Sequence, residues 1–488
     1  MTSPQSDASK QRPRRANRNP SSRTTTSREK RRKDKKRSSV KRYEAKIEKM
    51  LKNNELLLPK LFDDAVINAF LGKDSSEDKK RRQRVYTVPI TLSLFIQQVL
   101  AKDRGCKETV ALFNRMRQLD QLPEVSTNTT SYCDARMRIP LPLINTLVKR
   151  TADIATEKLT QDQLWFGLRV LLVDGLVVNA PDTPENQQVY PQSQSQKPGL
   201  GFPQIRLCAA ICLATGVVAD VEYGPVIGKK TGELTLFRKM FDNLKSGDLI
   251  VADSLYDCFR DHAALVAKGV DVICDKNGTR QSPFTGPCEV IEEALKVLPR
   301  PSFDKERFTK EEWEALPATL TVRMIRCNIG GRNSELTLTT TLLDSEAYSA
   351  VEIVKLYKQR WECELDFRSI KSVMGMAWLS CHTPEMLQRE LMVYFLAYNI
   401  VRITMCDAAK LGGHHPRDLS FKNAKDAWLK FGQDECESQN YAWLLWSIAD
   451  APLRKRPGRN EPRKIKRRQS KYEKLKQPRA QEKAALFT

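Results

Sequence analysis

Two aspartates stand where a buried strand would rather have none. Asp174 interrupts the apolar run Leu168-Arg-Val-Leu-Leu-Val-Asp-Gly-Leu-Val-Val178, and Asp253 closes the run in Gly247-Asp-Leu-Ile-Val-Ala-Asp-Ser-Leu-Tyr256. An unpaired carboxylate in such a place is costly, so each needs a reason. Taken alone, each also reads as a strand-end cap or a salt-bridged acid. If the two strands are neighbours, both carboxylates emerge from one end of the sheet. Two like charges there raise each other's pKa unless a cation lies between them. A third acid, Glu364, sits in Tyr357-Lys-Gln-Arg-Trp-Glu-Cys-Glu-Leu-Asp-Phe-Arg-Ser-Ile-Lys371. Oxygen-only ligation by three carboxylates suits Mg²⁺ or Mn²⁺ and not zinc. Such a set can hold two ions roughly 3.5–4 Å apart, which activate a water or hydroxyl and stabilise the leaving oxygen of a phosphodiester.

The stretch 357–371 must position Glu364, and its composition predicts a single helix: good helix formers, with neither Gly nor Pro. Helical periodicity puts Tyr357, Arg360, Glu364 and Lys371 on one stripe about 60° wide. Leu356, Cys363, Phe367, Ile370 and Met374 form an apolar stripe beside it. The bland alternative is a polar face with one Arg–Glu pair at i,i+4. Upstream, strands are expected at 168–178, 204–213, 217–223, 247–256 and 271–275, with helices at 233–244 and 261–268. This β-β-β-α-β-α-β order defines an α/β domain with a mixed sheet. A strand-rich segment, 280–346, separates that run from the Glu364 helix, and a long apolar helix follows at 385–410.

The chain has 488 residues and a formal net charge of +23. Residues 1–42 carry 16 Lys and Arg against 3 Asp and Glu, and residues 453–488 carry 14 against 3. The excess therefore lies in the two tails, and 43–452 is close to neutral. Two basic tails on a neutral body point to a polyanion, most simply nucleic acid, although a charge run also reads as a solvated tail. The helical stretch 43–160, with Arg136, Arg138 and the 79–84 basic patch, is compatible with DNA binding. The N-terminus lacks an apolar leader, and Leu391–Cys406 is broken by Asn399 and Arg402, so it reads as a buried helix. These features, with twelve scattered cysteines and four histidines, predict a cytoplasmic, DNA-associated protein with reduced thiols and no zinc site.

With these residues in view, the chain resembles the DDE transposases of the insertion-sequence-four family. Tyr357, Arg360, Glu364 and Lys371 match that family's Y-x2-R-x3-E-x6-K signature at every position. Asp174 in LLVDGLVV and Asp253 in IVADSLY resemble its two catalytic aspartates, with Tyr256 as the usual aromatic three residues on. The resemblance implies a ribonuclease H-like core with a mixed sheet interrupted by a β-rich insertion, preceded by an all-α N-terminal domain and flanked by disordered basic tails. The expected divisions are 1–42, 43–160, 161–279, 280–346, 347–412, 413–452 and 453–488. It further implies Asp174, Asp253 and Glu364 as catalytic ligands of a two-metal Mg²⁺ site, with Mn²⁺ able to substitute. Tyr357, Arg360 and Lys371 would contact the phosphates of the element ends. A homodimer on double-stranded DNA, at both element ends and target, is the implied assembly. A Trp on the insertion can help hold a flipped base in some relatives; Trp313 lies in that segment, and a core role is the simpler expectation. Ser254 and Leu255 stand where many relatives carry a glycine, which leaves the local turn open. Two other readings compete: a retired transposase that only binds DNA, and a ribonuclease H-like nuclease of DNA junctions.

Overall fold

The computed structural model describes residues 84–453 apart from 120, 158, 287, 289, 306–308, 329–334 and 432–440, together with 477, 478, 481, 484 and 485. The basic tail 1–42, the start of the helical stretch expected at 43–160 and nearly all of the C-terminal tail lie outside the described residues. So does the 79–84 patch apart from Arg84.

Among the described residues, four helices come first: α1 (Val88–Leu100), α2 (Cys106–Leu119), α3 (Thr130–Met137) and α4 (Leu141–Glu157). Then follow β1 (Arg169–Asn179), α5 (Pro184–Val189), β2 (Gln204–Cys212), β3 (Val218–Pro225), α6 (Glu233–Lys239), β4 (Asp248–Ala252), α7 (Phe259–Ala267) and β5 (Asp271–Asp275). The next segment holds β6 (Ile291–Pro299), α8 (Lys310–Glu314), β7 (Thr319–Asn328) and β8 (Glu335–Thr340). The chain continues with α9 (Ala350–Lys358), α10 (Trp361–Arg368), α11 (Pro384–Gly412), α12 (Phe421–Lys430) and α13 (Tyr441–Ala449).

All eight strands lie in one sheet, ordered β3-β2-β1-β4-β5-β8-β7-β6. β2 runs antiparallel to β1 and β3, whereas β1, β4 and β5 are parallel. The first five strands have the ribonuclease H-like arrangement. The β-rich insertion extends this same sheet, because β8 pairs antiparallel with β5 and leads outward to β7 and β6. β1 is central and buried on both faces, which is why its sequence is nearly continuous in apolar residues. On one face Leu172, Leu176 and Val178 join a core built from α1, α4 and α11. On the other, Leu171 and Val173 meet Leu236 and Phe237 of α6 and Leu265 of α7. Helices thus cover both faces of the sheet.

The apolar helix α11 is long enough by length and composition to cross a membrane, but 94% of its apolar window is buried inside the protein. Pro384 opens it and Gly413, at φ +71°, closes it with an amide bonded to Ala409 O. Arg136 is buried over the rings of Phe95 and Tyr132, so the cationic surface expected at that position is a core contact. Arg138 is exposed. Trp313 is neither core nor bare: its indole N–H donates to Pro301 O at 2.8 Å, and the Arg300 guanidinium stacks 3.9 Å above the ring.

The single helix expected over 357–371 is broken. α9 ends at Lys358, and the backbone tightens to i→i−3 bonds from Gln359, Arg360, Glu362 and Cys363 before α10 runs on. The chain then widens into a π turn at Ser369–Val373. No Gly or Pro marks the break. It accompanies a tertiary contact, the reach of Arg360 across to β1.

Candidate active site

Strand register puts the first two acids level. Arg169 pairs with Asp248 and Leu172 with Val251, an offset that also relates Asp174 to Asp253 two residues further on. The far end of this strand pair is pinned by Arg169, whose Nε and Nη2 donate to the two carboxylate oxygens of Asp248, each at 2.7 Å. A one-residue slip would turn every side chain to the wrong face and break this pair as well. The β4–β5 register, with Ala252 opposite Cys274, adds Asp275 to the row beside Asp253. Three aspartates therefore lie level across three adjacent parallel strands, Asp174 in mid-β1, Asp253 just past β4 and Asp275 at the end of β5. Asp275 was missed by the sequence reading, yet its signal is visible: VICD ends as IVAD does.

Asp253 caps the 3-10 turn Ser254–Tyr256, its Oδ1 accepting from Leu255 N at 2.8 Å. Neither Ser254 nor Leu255 adopts a positive φ, so this turn needs no glycine. The next residue holds it in place. Asp257 is fully buried and takes two hydrogen bonds from Arg280, at 2.6 and 2.7 Å, and one from Asn277 N at 2.9 Å. Asn277 Nδ2 in turn reaches Ser254 O at 3.4 Å.

Glu364 comes from α10, which packs against β1. The Arg360 guanidinium lies between the helix and the strand, 3.7 Å from Asp174 Oδ2 and 3.8 Å from Glu364 Oε1. It also sits 6.0 Å from the ring centre of Tyr357. Tyr357 is buried, and burial and the Asp275 carboxylate push its hydroxyl well above the ordinary range. Burial raises the Asp174 carboxyl, opposed by the Gly175 amide and by Arg360 and reinforced by Asp253 and Glu364. Burial likewise raises Asp275. The structure thus brings Asp174, Asp253, Glu364, Tyr357 and Arg360 into one electrostatic neighbourhood. Lys371 is half-buried in the π turn, a turn and more beyond Glu364.

Among the described residues, no three acid, His or Cys side chains are drawn close enough to hold an ion as they stand. The donor set nevertheless suits a hard divalent cation: carboxylates only, at a sheet end where burial penalises their charge. Arg360 fills the place of such a cation between Asp174 and Glu364.

The α10 helix is anchored from below. Asp366, fully buried, accepts hydrogen bonds from Arg402, from Tyr398 Oη at 3.0 Å and from Arg417 Nη2 at 2.9 Å. Arg417 also donates to Leu213 O at 2.5 Å, Cys212 O at 3.3 Å and Glu362 Oε2 at 3.2 Å, tying α10 to the end of β2. Beyond the π turn, Asn179 at the end of β1 exchanges backbone hydrogen bonds with Ala377 and Leu379. Arg104 donates to Gly375 O at 2.9 Å. Glu364 is therefore carried on a segment fixed at both ends.

The assembly is thus a mixed sheet with a row of acids where the β1–β4 ladder ends and the Glu364 segment laid across it. Residues 165–400 match the family model described as the transposase DDE domain. Transposase InsG for insertion sequence element IS4 of Escherichia coli (strain K12) is 26% identical over 297 residues, covering 59% of this chain and 64% of the relative. Putative transposase InsZ of the same organism is 28% identical over 189 residues, covering 34% and 62%. The chain thus spans less than two thirds of the length of either curated relative. Among solved structures, a piggyBac transposase synaptic complex with hairpin DNA aligns at TM-score 0.42 and 12% identity, over 77% of this chain and 79% of that one. These likenesses agree with the resemblance to DDE transposases drawn from the signature residues.

Proposed function

We propose that this chain is an active transposase of an insertion sequence, one that binds the ends of its element and carries out Mg²⁺-dependent DNA strand cleavage and strand transfer by a cut-and-paste route. The observation that carries this reading is the level placement of Asp174 and Asp253 on neighbouring strands, with Glu364 brought to them on α10. Asp174, Asp253 and Glu364 would hold Mg²⁺, or Mn²⁺ in its place. A pair of such ions would activate the attacking oxygen and stabilise the leaving one. Arg360 now neutralises two of the three acids. On DNA its guanidinium is free to turn to a backbone phosphate, a partner it can bind bidentately. Tyr357, buried against Asp275 and beside Arg360, fixes the starting position of that swing. Lys371 adds a second phosphate contact. The basic tails would hold the flanking duplex without reading its sequence. Two ends in one complex imply a homodimer on DNA, and a DNA substrate implies a cytoplasmic, nucleoid-associated location.

A second reading is a transposase-derived protein that binds DNA without cutting it. The placement of Arg360 between Asp174 and Glu364 favours it, since a fixed cation there would exclude a metal. One experiment separates the two. The purified protein is incubated with linear DNA carrying its own element's ends, with and without Mg²⁺, and nicking at the end junctions is followed. The active reading expects metal-dependent nicks that vanish in Asp174→Asn and Glu364→Gln while DNA binding persists. Tight binding with no cleavage, both ends and metal supplied, establishes the second reading instead.

A further inference from the structure

Behind the row of catalytic acids lies a fourth carboxylate. Glu233 is the first residue of α6, on the face of the sheet opposite α10. Its side chain rests on Gly175. A Cβ built there would lie 1.9 Å from Glu233 Oε2 and 2.7 Å from Oε1. Gly175 is not among the glycines with positive φ, so the backbone conformation does not demand glycine at this point. The space does: Glu233 occupies the volume that any side chain at 175 would need. On its other side Gly175 serves the site directly, its amide donating to Asp174 Oδ1 at 2.7 Å.

The same carboxylate reaches the second aspartate. Tyr256 Oη donates to Glu233 Oε1 at 2.7 Å. Tyr256 ends the turn that begins at Asp253, and its amide bonds back to Asp253 O at 3.2 Å. Its ring is fixed edge-on to Phe237 at 5.1 Å, and its hydroxyl lies 3.4 Å from the Cys208 thiol. Cys208 is the ladder partner of Gly175 on β2. One side chain therefore touches the strand of Asp174 and the turn of Asp253, at a level where the β1–β4 ladder has already ended.

We propose that Glu233 is a positioning residue: wedged on Gly175 and bonded by Tyr256, it forms a strut that sets the separation of Asp174 and Asp253. The inference rests on the transposase reading for what that separation serves. Glu233 works through its shape and its acceptor oxygen, so an amide at the same place does the same work. Loss of the wedge or of the hydroxyl lets the Asp253 turn drift from β1, and displacements on the order of 1 Å at a reacting centre can lower a rate about a hundredfold.

The test compares Glu233→Gln, Glu233→Ala and Tyr256→Phe with the wild type in two assays. The first is single-turnover nicking of element-end DNA, resolved into rate constant and apparent DNA affinity. The second is Mn²⁺ binding to the DNA-free protein by titration calorimetry. Glu233→Ala and Tyr256→Phe are expected to slow nicking at least about tenfold with DNA affinity unchanged, and to weaken Mn²⁺ binding. Glu233→Gln stays within about threefold of wild type in both. Urea midpoints of all the variants show that each is folded. Equal losses in Glu233→Gln and Glu233→Ala would overturn the proposal in favour of a role for the charge, and wild-type behaviour of Tyr256→Phe in both assays would overturn it outright. A wild-type protein that binds Mn²⁺ but does not nick removes the transposase reading alone, because the order of Mn²⁺ affinities still decides the strut.

Discussion

Replacing Asp366 by alanine should destabilise the protein by about 3–5 kcal/mol, the range for breaking a buried ion pair from one side. The carboxylate is fully buried and neutralises parts of two guanidinium groups, Arg402 and Arg417, that are themselves 6% and 10% exposed. Alanine leaves the two cations facing each other without the counter-ion they share. Arg417 keeps Glu362 and the carbonyls of Cys212 and Leu213, and Arg402 keeps the Tyr398 hydroxyl at 2.8 Å, so Arg402 carries most of the penalty. Asparagine restores an acceptor but no charge, and its effect should be about half as large. Arg402→Met in the Asp366→Ala background should recover part of the loss, because the stranded charge is then gone. By contrast, Glu352→Ala breaks an exposed pair with Lys355 and should change stability by less than about 1 kcal/mol. Urea unfolding of the four variants, with slopes compared to confirm a common transition, gives these differences. A loss under about 1 kcal/mol in Asp366→Ala, with an unchanged slope, would refute the account of α10 as anchored by buried charge.

Divalent ion should stabilise the DNA-free protein, by about 2.7 kcal/mol at a hundredfold excess over its dissociation constant, and Asp174→Asn should abolish that gain in a thermal-shift titration. Burial raises the Asp174 carboxyl above its ordinary 3.8, so the folded chain holds that proton more tightly than the unfolded one. Without metal, the contribution to stability is present at low pH and lost as pH rises through the raised value. The melting temperature should therefore fall with rising pH above about 4 less steeply in Asp174→Asn than in wild type. Removing residues 1–42 and 453–488, which carry 16 and 14 basic side chains, should flatten the salt dependence of DNA binding; an unchanged slope would place the phosphate contacts on the folded body.

Two of the three aspartates of the row were legible because a buried strand advertises an acid, and Asp275 passed unnoticed at the end of a short strand. Asp174 and Asp253 stood out against apolar neighbours, and their spacing in the chain turned out to equal the β1–β4 register. The order of strands and helices along the chain followed from the same alternation of apolar runs and helical periods, whereas their order in the sheet was implied only by the family resemblance. Less visible were features that depend on tertiary packing. Nothing local in Gln359–Arg360 announces the break between α9 and α10, since all the residues are good helix formers. Arg136 looked like one more basic side chain until two aromatic rings closed over it. Asp366 and Arg417 are ordinary charged residues in sequence, and only the approach of α11 and the segment after it makes them a buried pair. Glu233 resembled a solvated acid in the first turn of a helix, where acids are common for reasons of the helix dipole.

The bond from Arg417 to Asp366 also bears on when the site can exist. The pair spans 51 residues, and its later member lies well beyond the last of the three acids. A chain emerging from the ribosome at about 5–20 residues per second presents both aspartates, then Glu364, several seconds before Arg417 is free to fold. During that interval α10 lacks the cation that ties it to β2, and Arg402, made 15 residues before Arg417, reaches Asp366 only near its end. Assembly of the acid cluster is thus deferred until Arg417 has been made, and a nascent or prematurely terminated chain carrying every acid still lacks the anchor of α10.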